Sequence, residues 1–132
     1  GGRRADQGPA ALGLPVPYRG ILDAPLAQVP GSQTALLLDG QGEVVVGAGD
    51  LDERHRLIGA YQGIALGMVS RTASRFGVGG IETLVWRHAD GSVILATLHD
   101  GYYIVLSLGP RAPAAIARHR CERARDRLNK EI

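Results

Sequence analysis

The chain has 132 residues and a formal net charge of +2, with 45% apolar and 21% charged side chains. This length holds one hydrophobic core, and the composition is that of an ordinary globular domain. A single cysteine, Cys121, excludes an internal disulfide framework and a CxxC metal site. The most apolar stretch, 57–69, is too short to cross a membrane, and no signal segment opens the chain, so we expect a cytoplasmic protein.

The N-terminal residues 1–17 are rich in glycine, proline and alanine and have no hydrophobic period, which predicts a flexible tail. We expect the folded domain over 18–132. The apolar residues of 18–29 have helical spacing, but Pro25 interrupts them. The sequence therefore predicts a first helix that is either short, with Asp23 as its N-cap, or kinked.

Three Asp-Gly pairs lie between runs of β-forming residues and predict hairpin turns. Asp39-Gly40 divides two strands, 34–38 and 43–48. Asp90-Gly91 and Asp100-Gly101 divide 81–108 into a meander of three strands. These strands are apolar on both faces, so we expect both faces of the sheet to be covered.

Two further helices are predicted. Residues 52–76 have the pattern of a long helix that Asp50 or Asp52 can cap, and the glycine-rich segment 77–80 ends it. A last helix over 113–130 has an apolar stripe that includes Cys121. The predicted order of elements is α-β-β-α-β-β-β-α.

The long helix is apolar or small all round between Leu57 and Ser70, which indicates burial on two sides. We expect one face to lie on the sheet, namely Leu57, Tyr61, Ile64, Ala65, Met68 and Thr72. The opposite face carries Gly59, Ala60, Gly63, Leu66, Gly67 and Ser70. Each glycine costs about 1 kcal/mol in a helix, but a stripe of small residues lets another backbone approach closely. We therefore expect this face to contact the same helix of a second copy, the alternative being the last helix or the tail.

The chain has no arrangement of residues that predicts catalysis. It lacks GxxxxGK[ST], and the loop 77–80 follows a helix instead of preceding one, so it does not form a phosphate-binding loop. With a two-residue turn at Asp90-Gly91, His88 would lie opposite Val93 and His99 opposite Glu82, which brings no two histidines together. We expect no enzyme activity, no cofactor and no metal.

The C-terminal segment 111–132 carries seven basic and three acidic side chains. No aromatic residues lie among the arginines to stack on bases, so we expect a solvated helix face instead of a nucleic-acid surface. Lys130 is the only lysine, and such a preference for arginine is associated with GC-rich bacterial genomes.

Several segments follow one another in an informative order: Val29-Pro30-Gly31, 35–42 with its Asp-Gly turn, 43–46, the Ala/Gly-rich helix, 82–86 and 100–106. In this order the chain resembles the Roadblock family of dynein-light-chain-related domains, which includes the bacterial gliding-motility regulator of a Ras-like GTPase. The resemblance covers 18–132.

The resemblance implies a profilin-like α+β sandwich, with a five-stranded antiparallel sheet in the order 2-1-5-4-3 and helices on both faces. It also implies a homodimer joined through the third strand and the long helix. We therefore expect an interface at Gly59, Gly63, Leu66, Gly67, Ser70, Glu82, Leu84 and Trp86. The implied function is non-catalytic regulation of a Ras-like small GTPase, as an activator or effector-like partner. A structural adaptor in a larger complex and a small-ligand sensor are the alternatives.

Overall fold

The computed structural model describes residues 17–132 and confirms the predicted order of elements. The elements are α1 (Pro17–Gln28), β1 (Ser32–Leu38), β2 (Val44–Gly49), α2 (Glu53–Arg75), β3 (Thr83–His88), β4 (Gly91–Thr97), β5 (Tyr103–Leu108) and α3 (Ala114–Glu131). The predicted tail lies outside the described residues, except for Pro17, at which α1 begins.

Within residues 17–132 the strands form one five-stranded antiparallel sheet in the order β2-β1-β5-β4-β3, as predicted. The edges of the sheet are β2 and β3. Helices cover both faces, and each face has its own core. Helices α1 and α3 pack on one face, around residues such as Leu37 and Leu106. Helix α2 packs on the other face, over Leu36 and Leu95.

Helix α1 begins at Pro17, so the prediction of a short helix starting near Asp23 is wrong. Pro25 has no N–H to donate within the helix. The helix nevertheless continues, and the N–H of Val29 donates to the carbonyl oxygen of Pro25 at 2.9 Å. The buried stripe of α1, which includes Ile21 and Leu22, contacts the sheet. This tertiary packing stabilises a helix that the local sequence disfavours.

The β3–β4 turn consists of Ala89 and Asp90, so the prediction of an Asp90-Gly91 turn is wrong. Gly91 belongs to β4 instead, where its φ is 155°. A Cβ atom at Gly91 would overlap the carbonyl oxygen of Leu108. The glycine is therefore required by the close approach of the neighbouring backbone, and not by the turn.

The corrected register separates His99 from Glu82. The carbonyl oxygen of Glu82 accepts a hydrogen bond from the N–H of Thr97 at 3.0 Å. His99 lies in a 3-10 turn, where its N–H donates to Oδ1 of Asn129 at 3.0 Å. The expected pairing of His99 with Glu82 is therefore wrong, and His88 lies opposite Gly91 instead of Val93.

The two long helices have the predicted bounds to within two residues. Asp52 is the N-cap of α2, since its side chain accepts a hydrogen bond from the N–H of His55 at 2.9 Å. Helix α3 buries Cys121 and Leu128 on its apolar stripe, as predicted. No helix in the described part of the chain combines the length and apolarity that crossing a bilayer requires.

Candidate interaction surface

Helix α2 contacts the sheet through its small residues, which reverses the expected orientation. Gly59 is buried, and a Cβ atom there would lie 2.6 Å from Cδ1 of Leu36. A Cβ atom at Gly63 would lie 2.7 Å from the hydroxyl oxygen of Tyr103. Because these Cβ atoms are missing, the helix backbone approaches β1 and β5 closely. Gly59 and Gly63 therefore contact the sheet of their own protomer, and the expectation that they lie on the outward side of α2 is wrong. Their contact with a second copy stays a prediction.

The larger apolar side chains of α2 face outward. Leu57, Tyr61, Ile64 and Met68 are between 46% and 62% exposed. Their spacing along the helix places them in one row, which we name the α2 apolar stripe. The expectation that these residues lie on the sheet is wrong. A contiguous row of exposed apolar side chains is a candidate interaction surface.

The exposed apolar surface continues beyond the C-terminus of α2. Phe76 is the C-cap residue of the helix, and Val78 follows in the glycine-rich segment. Both side chains are more than half exposed. Phe76 and Val78 therefore extend the apolar surface beyond the last turn of the helix.

Strand β3 has an open edge and is linked to α2 by a side-chain hydrogen bond. Within residues 17–132 its backbone pairs with β4 alone. Trp86 is 40% exposed, and its Nε1–H donates to Oε1 of Gln62 in α2 at 2.9 Å. Gln62 is only 3% exposed, so this hydrogen bond satisfies a buried amide. The bond fixes the strand edge relative to α2.

The other predicted interface residues differ in how much surface they expose. Leu66 and Leu84 are partly buried and pack on the core beneath α2. Gly67 and Ser70 are half-buried, and Glu82 is exposed. Contact of these residues and of Trp86 with a second copy stays a prediction.

A cluster of two carboxylates and a histidine lies at the N-terminus of α2. One donor atom each from Asp50, Asp52 and His55 lies within 4.8 Å of the others. Nδ1 of His55 is 2.7 Å from Oδ1 of Asp52 and 3.7 Å from Oδ2 of Asp50. These residue types and distances suit a metal ion, but helix capping already accounts for the Asp52–His55 contacts.

The same contacts affect the ionisation of Asp52. Hydrogen bonds from the backbone N–H and then the ring of His55 hold the pKa of the Asp52 carboxyl below its usual value. Pairs of histidines do not reveal this cluster, because it combines one histidine with two carboxylates. The spacing Asp-x-x-His at a predicted helix start was the signal that could have revealed it.

Among residues 17–132, Cys121, Ser92 and Ser107 have no hydrogen-bonded base beside them. Cys121 is buried, and desolvation raises its pKa to about 12. Ser92 and Ser107 line a cleft of about 80 Å³ together with His55 and His88. The histidine hydrogen bonds found in residues 17–132 go to other groups, among them Asp52, Gln33 and the backbone N–H of Asp90.

A model of the Roadblock/LC7 domain matches residues 19–107. The chain belongs to the Roadblock/LC7 family. No curated protein sequence gives a significant match.

Solved structures share the fold of this Roadblock/LC7 chain at low sequence identity. A Roadblock/LC7 domain from Streptomyces avermitilis has a TM-score of 0.76 and 18% identity, over 84% of this chain and 93% of that one. MglB from Myxococcus xanthus has a TM-score of 0.76 and 16% identity, over 87% and 94%. The gliding protein MglB from Thermus thermophilus has a TM-score of 0.77 and 18% identity, over 88% and 90%.

Proposed function

We propose that this Roadblock domain forms a homodimer through the α2 apolar stripe and the open edge of β3, and that the dimer regulates a Ras-like small GTPase without catalytic residues of its own. The observation that carries the proposal is the presence of two unpartnered features on one protomer. One is the apolar outer face of α2 and the other is the unpaired edge of β3, which the Trp86–Gln62 hydrogen bond links to the same helix.

A two-fold axis beside β3 satisfies both features at once. It pairs the strand with its own copy, so that the unpaired N–H and C=O groups of the edge find partners. The same axis brings the stripes of two α2 helices together, since an isologous interface uses the same patch on both subunits. Each large apolar side chain that becomes fully buried contributes about 1.5–3 kcal/mol.

A relative supports self-association. A structure described as MglB with a tetrameric arrangement has a TM-score of 0.78 and 18% identity to this chain. That protein assembles into an oligomer, which favours an oligomer of this chain as well. The dimer proposed here is the simplest assembly that closes on itself.

The regulatory part of the proposal rests on the family and on the MglB-like neighbours. The sequence has no phosphate-binding loop, so a nucleotide cycle would belong to the partner. We propose an indirect effect, in which the dimer binds one nucleotide state of the GTPase more tightly and so shifts its population. A symmetric dimer then presents two equivalent sites, or one site shared across the axis.

Light scattering on wild type and two matched variants tests the dimer. We expect wild type at twice the protomer mass of 13.9 kDa. Ile64→Arg places a charge on the α2 apolar stripe and should give monomers. Ile116→Arg makes the same change at an exposed position of α3, on the opposite face of the sheet, and should stay dimeric. A monomeric wild type, or equal behaviour of the two variants, would contradict the proposed interface.

Titration of a Ras-like GTPase tests the regulatory role. A suitable GTPase is one encoded beside the gene of this chain, loaded with either a GTP analogue or GDP. We expect different affinities for the two states, because a ligand that binds both equally shifts neither. Equal binding would support the alternative of a structural adaptor.

A further inference from the structure

Helices α1 and α3 form a cleft on the face of the sheet opposite α2. Its volume is about 120 Å³. Ile21, Pro25 and Gln28 line it from α1, and Arg120, Arg123 and Arg127 line it from α3. The cleft therefore has one largely apolar wall and one wall of three guanidinium groups.

These three arginines differ from their neighbours on α3 in having no acidic partner. Arg118 lies 3.5 Å from Glu122, and Arg125 lies 2.8 Å from Asp126. The ion pairs formed within the described residues include none of the cleft arginines.

Arg120 also has an unsatisfied donor. Its Nε is buried and has no hydrogen-bond acceptor among residues 17–132. A buried donor without an acceptor is unfavourable, since the group loses its hydration and gains nothing in return. The positive charge of the cleft is therefore uncompensated, and part of it lies below the surface.

We infer that the cleft binds an acidic segment of a partner protein, whose carboxylates pair with the arginine row while an apolar side chain contacts Ile21 and Pro25. Arginine suits this role because its guanidinium group binds carboxylates through two parallel hydrogen bonds. The row from Arg120 to Arg127 spans about 10 Å along the helix axis. That length matches carboxylates placed one and two turns apart on a helical segment.

Other occupants fit the cleft less well. Residues 1–16 of this chain carry two arginines and one aspartate, so their charge does not complement the arginines. Single-stranded nucleic acid binds through aromatic stacking as well as charge, and the described lining of the cleft includes no aromatic side chain. An acidic protein segment requires only the ion pairs and the apolar contact that the cleft offers.

This inference is independent of the proposed dimer, because α2 and the α1–α3 pair lie on opposite faces of the sheet. A dimer formed through α2 and β3 keeps both clefts accessible. The protein would then bind a second, acidic partner at a site that is separate from the dimer interface.

The test uses the full chain and a fluorescein-labelled peptide of ten glutamates, with binding followed by fluorescence anisotropy at low salt. Arg123→Glu should weaken binding by about tenfold or more, as loss of a close charge pair does. Arg111→Glu is the matched control, since Arg111 is exposed, lies outside the cleft and undergoes the same change in charge. We expect its affinity to stay within about twofold of wild type, because only long-range, salt-screened attraction is lost.

Three outcomes would overturn the inference. The first is that wild type does not bind the glutamate peptide, and the second is that Arg123→Glu and Arg111→Glu lower the affinity equally. The third is that a ten-residue thymidine oligonucleotide binds more tightly than the peptide and that Arg123→Glu abolishes this binding. Arg127→Glu provides a second variant of the row, and thermal unfolding of each variant shows that the loss is not one of folding. A loss for Arg127→Glu that matches Arg123→Glu would support the row as one site.

Discussion

The helices that cover the two faces of the sheet contact it differently. On the α1–α3 face the helices contribute large side chains, such as Leu22 and Leu128, and the strands contribute both large and small ones, such as Leu37 and Ala35. On the α2 face the strands contribute Leu36, Leu38 and Tyr103, and the helix contributes Gly59 and Gly63.

This difference shows that the inner side of a helix is decided by fit as well as by hydrophobicity. Where Leu36 and Tyr103 approach α2 there is no room for a helix side chain, so Gly59 and Gly63 lie there, and the α2 apolar stripe faces outward. The apolar core under α1 and α3 is covered within one protomer. The α2 face exposes apolar surface that a partner can cover.

The largest contrast is expected between leucines of the two faces. Leu22 is 1% exposed and Leu57 is 46% exposed. Leu22→Ala should lower the free energy of unfolding by about 3 kcal/mol, through lost burial and a residual cavity. Leu57→Ala should lower that of the monomer by less than about 1 kcal/mol, because little burial is lost. Urea unfolding at several protein concentrations separates the monomer from the dimer, and equal losses in the monomer would contradict the comparison.

A somewhat smaller effect is expected where α2 meets the sheet. Gly63→Leu should lower the free energy of unfolding by about 2 kcal/mol, because its side chain meets the buried ring of Tyr103. Gly67→Ala is the contrasting variant, since its new Cβ would meet only the Arg71 side chain, at 3.3 Å. It should raise the free energy of unfolding by up to about 1 kcal/mol through helix propensity. Stabilisation by both substitutions in thermal unfolding would show that the glycines do not govern the packing.

The link between β3 and α2 provides a third test. Trp86→Phe leaves Oε1 of the buried Gln62 without its donor, which should cost about 1 kcal/mol. Adding Gln62→Met removes the stranded acceptor, so the double variant should lose less than the sum of the two single losses. A double-mutant cycle by urea unfolding measures this coupling, and strictly additive losses would argue against the hydrogen bond.

The smallest effect concerns pH and the start of α2. The pKa of Asp52 is lowered in the folded state, so its carboxylate stabilises the protein above the unfolded pKa of about 3.9. This contribution is lost as the pH falls through the lower, folded pKa. We expect wild type to exceed Asp52→Asn in melting temperature at neutral pH, and the difference to close in acid. A difference that persists unchanged at low pH would point to the cap geometry instead of the charge.

The order of elements was predictable from the sequence, since Asp-Gly pairs, glycine terminators and long periodic segments are local signals. The order of the strands came from the family resemblance. The orientation of α2 was not predictable from periodicity, because a helix that is apolar all round gives no preferred side. Strand β1 gives no signal either, because it carries Leu37 on one face and Leu36 on the other.

The wrong predictions for the β3–β4 turn, for α1 and for the two glycines of α2 have a common cause. Gly91 looks like a turn residue, but the backbone of β5, distant in sequence, requires it to lie in β4. Pro25 looks like a helix breaker, but burial of α1 overrides the lost hydrogen bond. In the candidate site, Trp86 is exposed, as the predicted interface requires, whereas Gly59 and Gly63 lie against the sheet. The burial of each residue depends on neighbours that are distant in sequence, and the local pattern does not contain them.

The single cysteine can report how often α3 separates from the sheet. Cys121 is buried, and its pKa of about 12 keeps almost no thiolate at neutral pH. Because the side chain is buried, an alkylating reagent reaches it when α3 separates from the sheet, and slow labelling reports the fraction of molecules that are open. Comparing the alkylation rate of Cys121 with and without an acidic peptide would show whether the peptide stabilises the packing of α3 on the sheet.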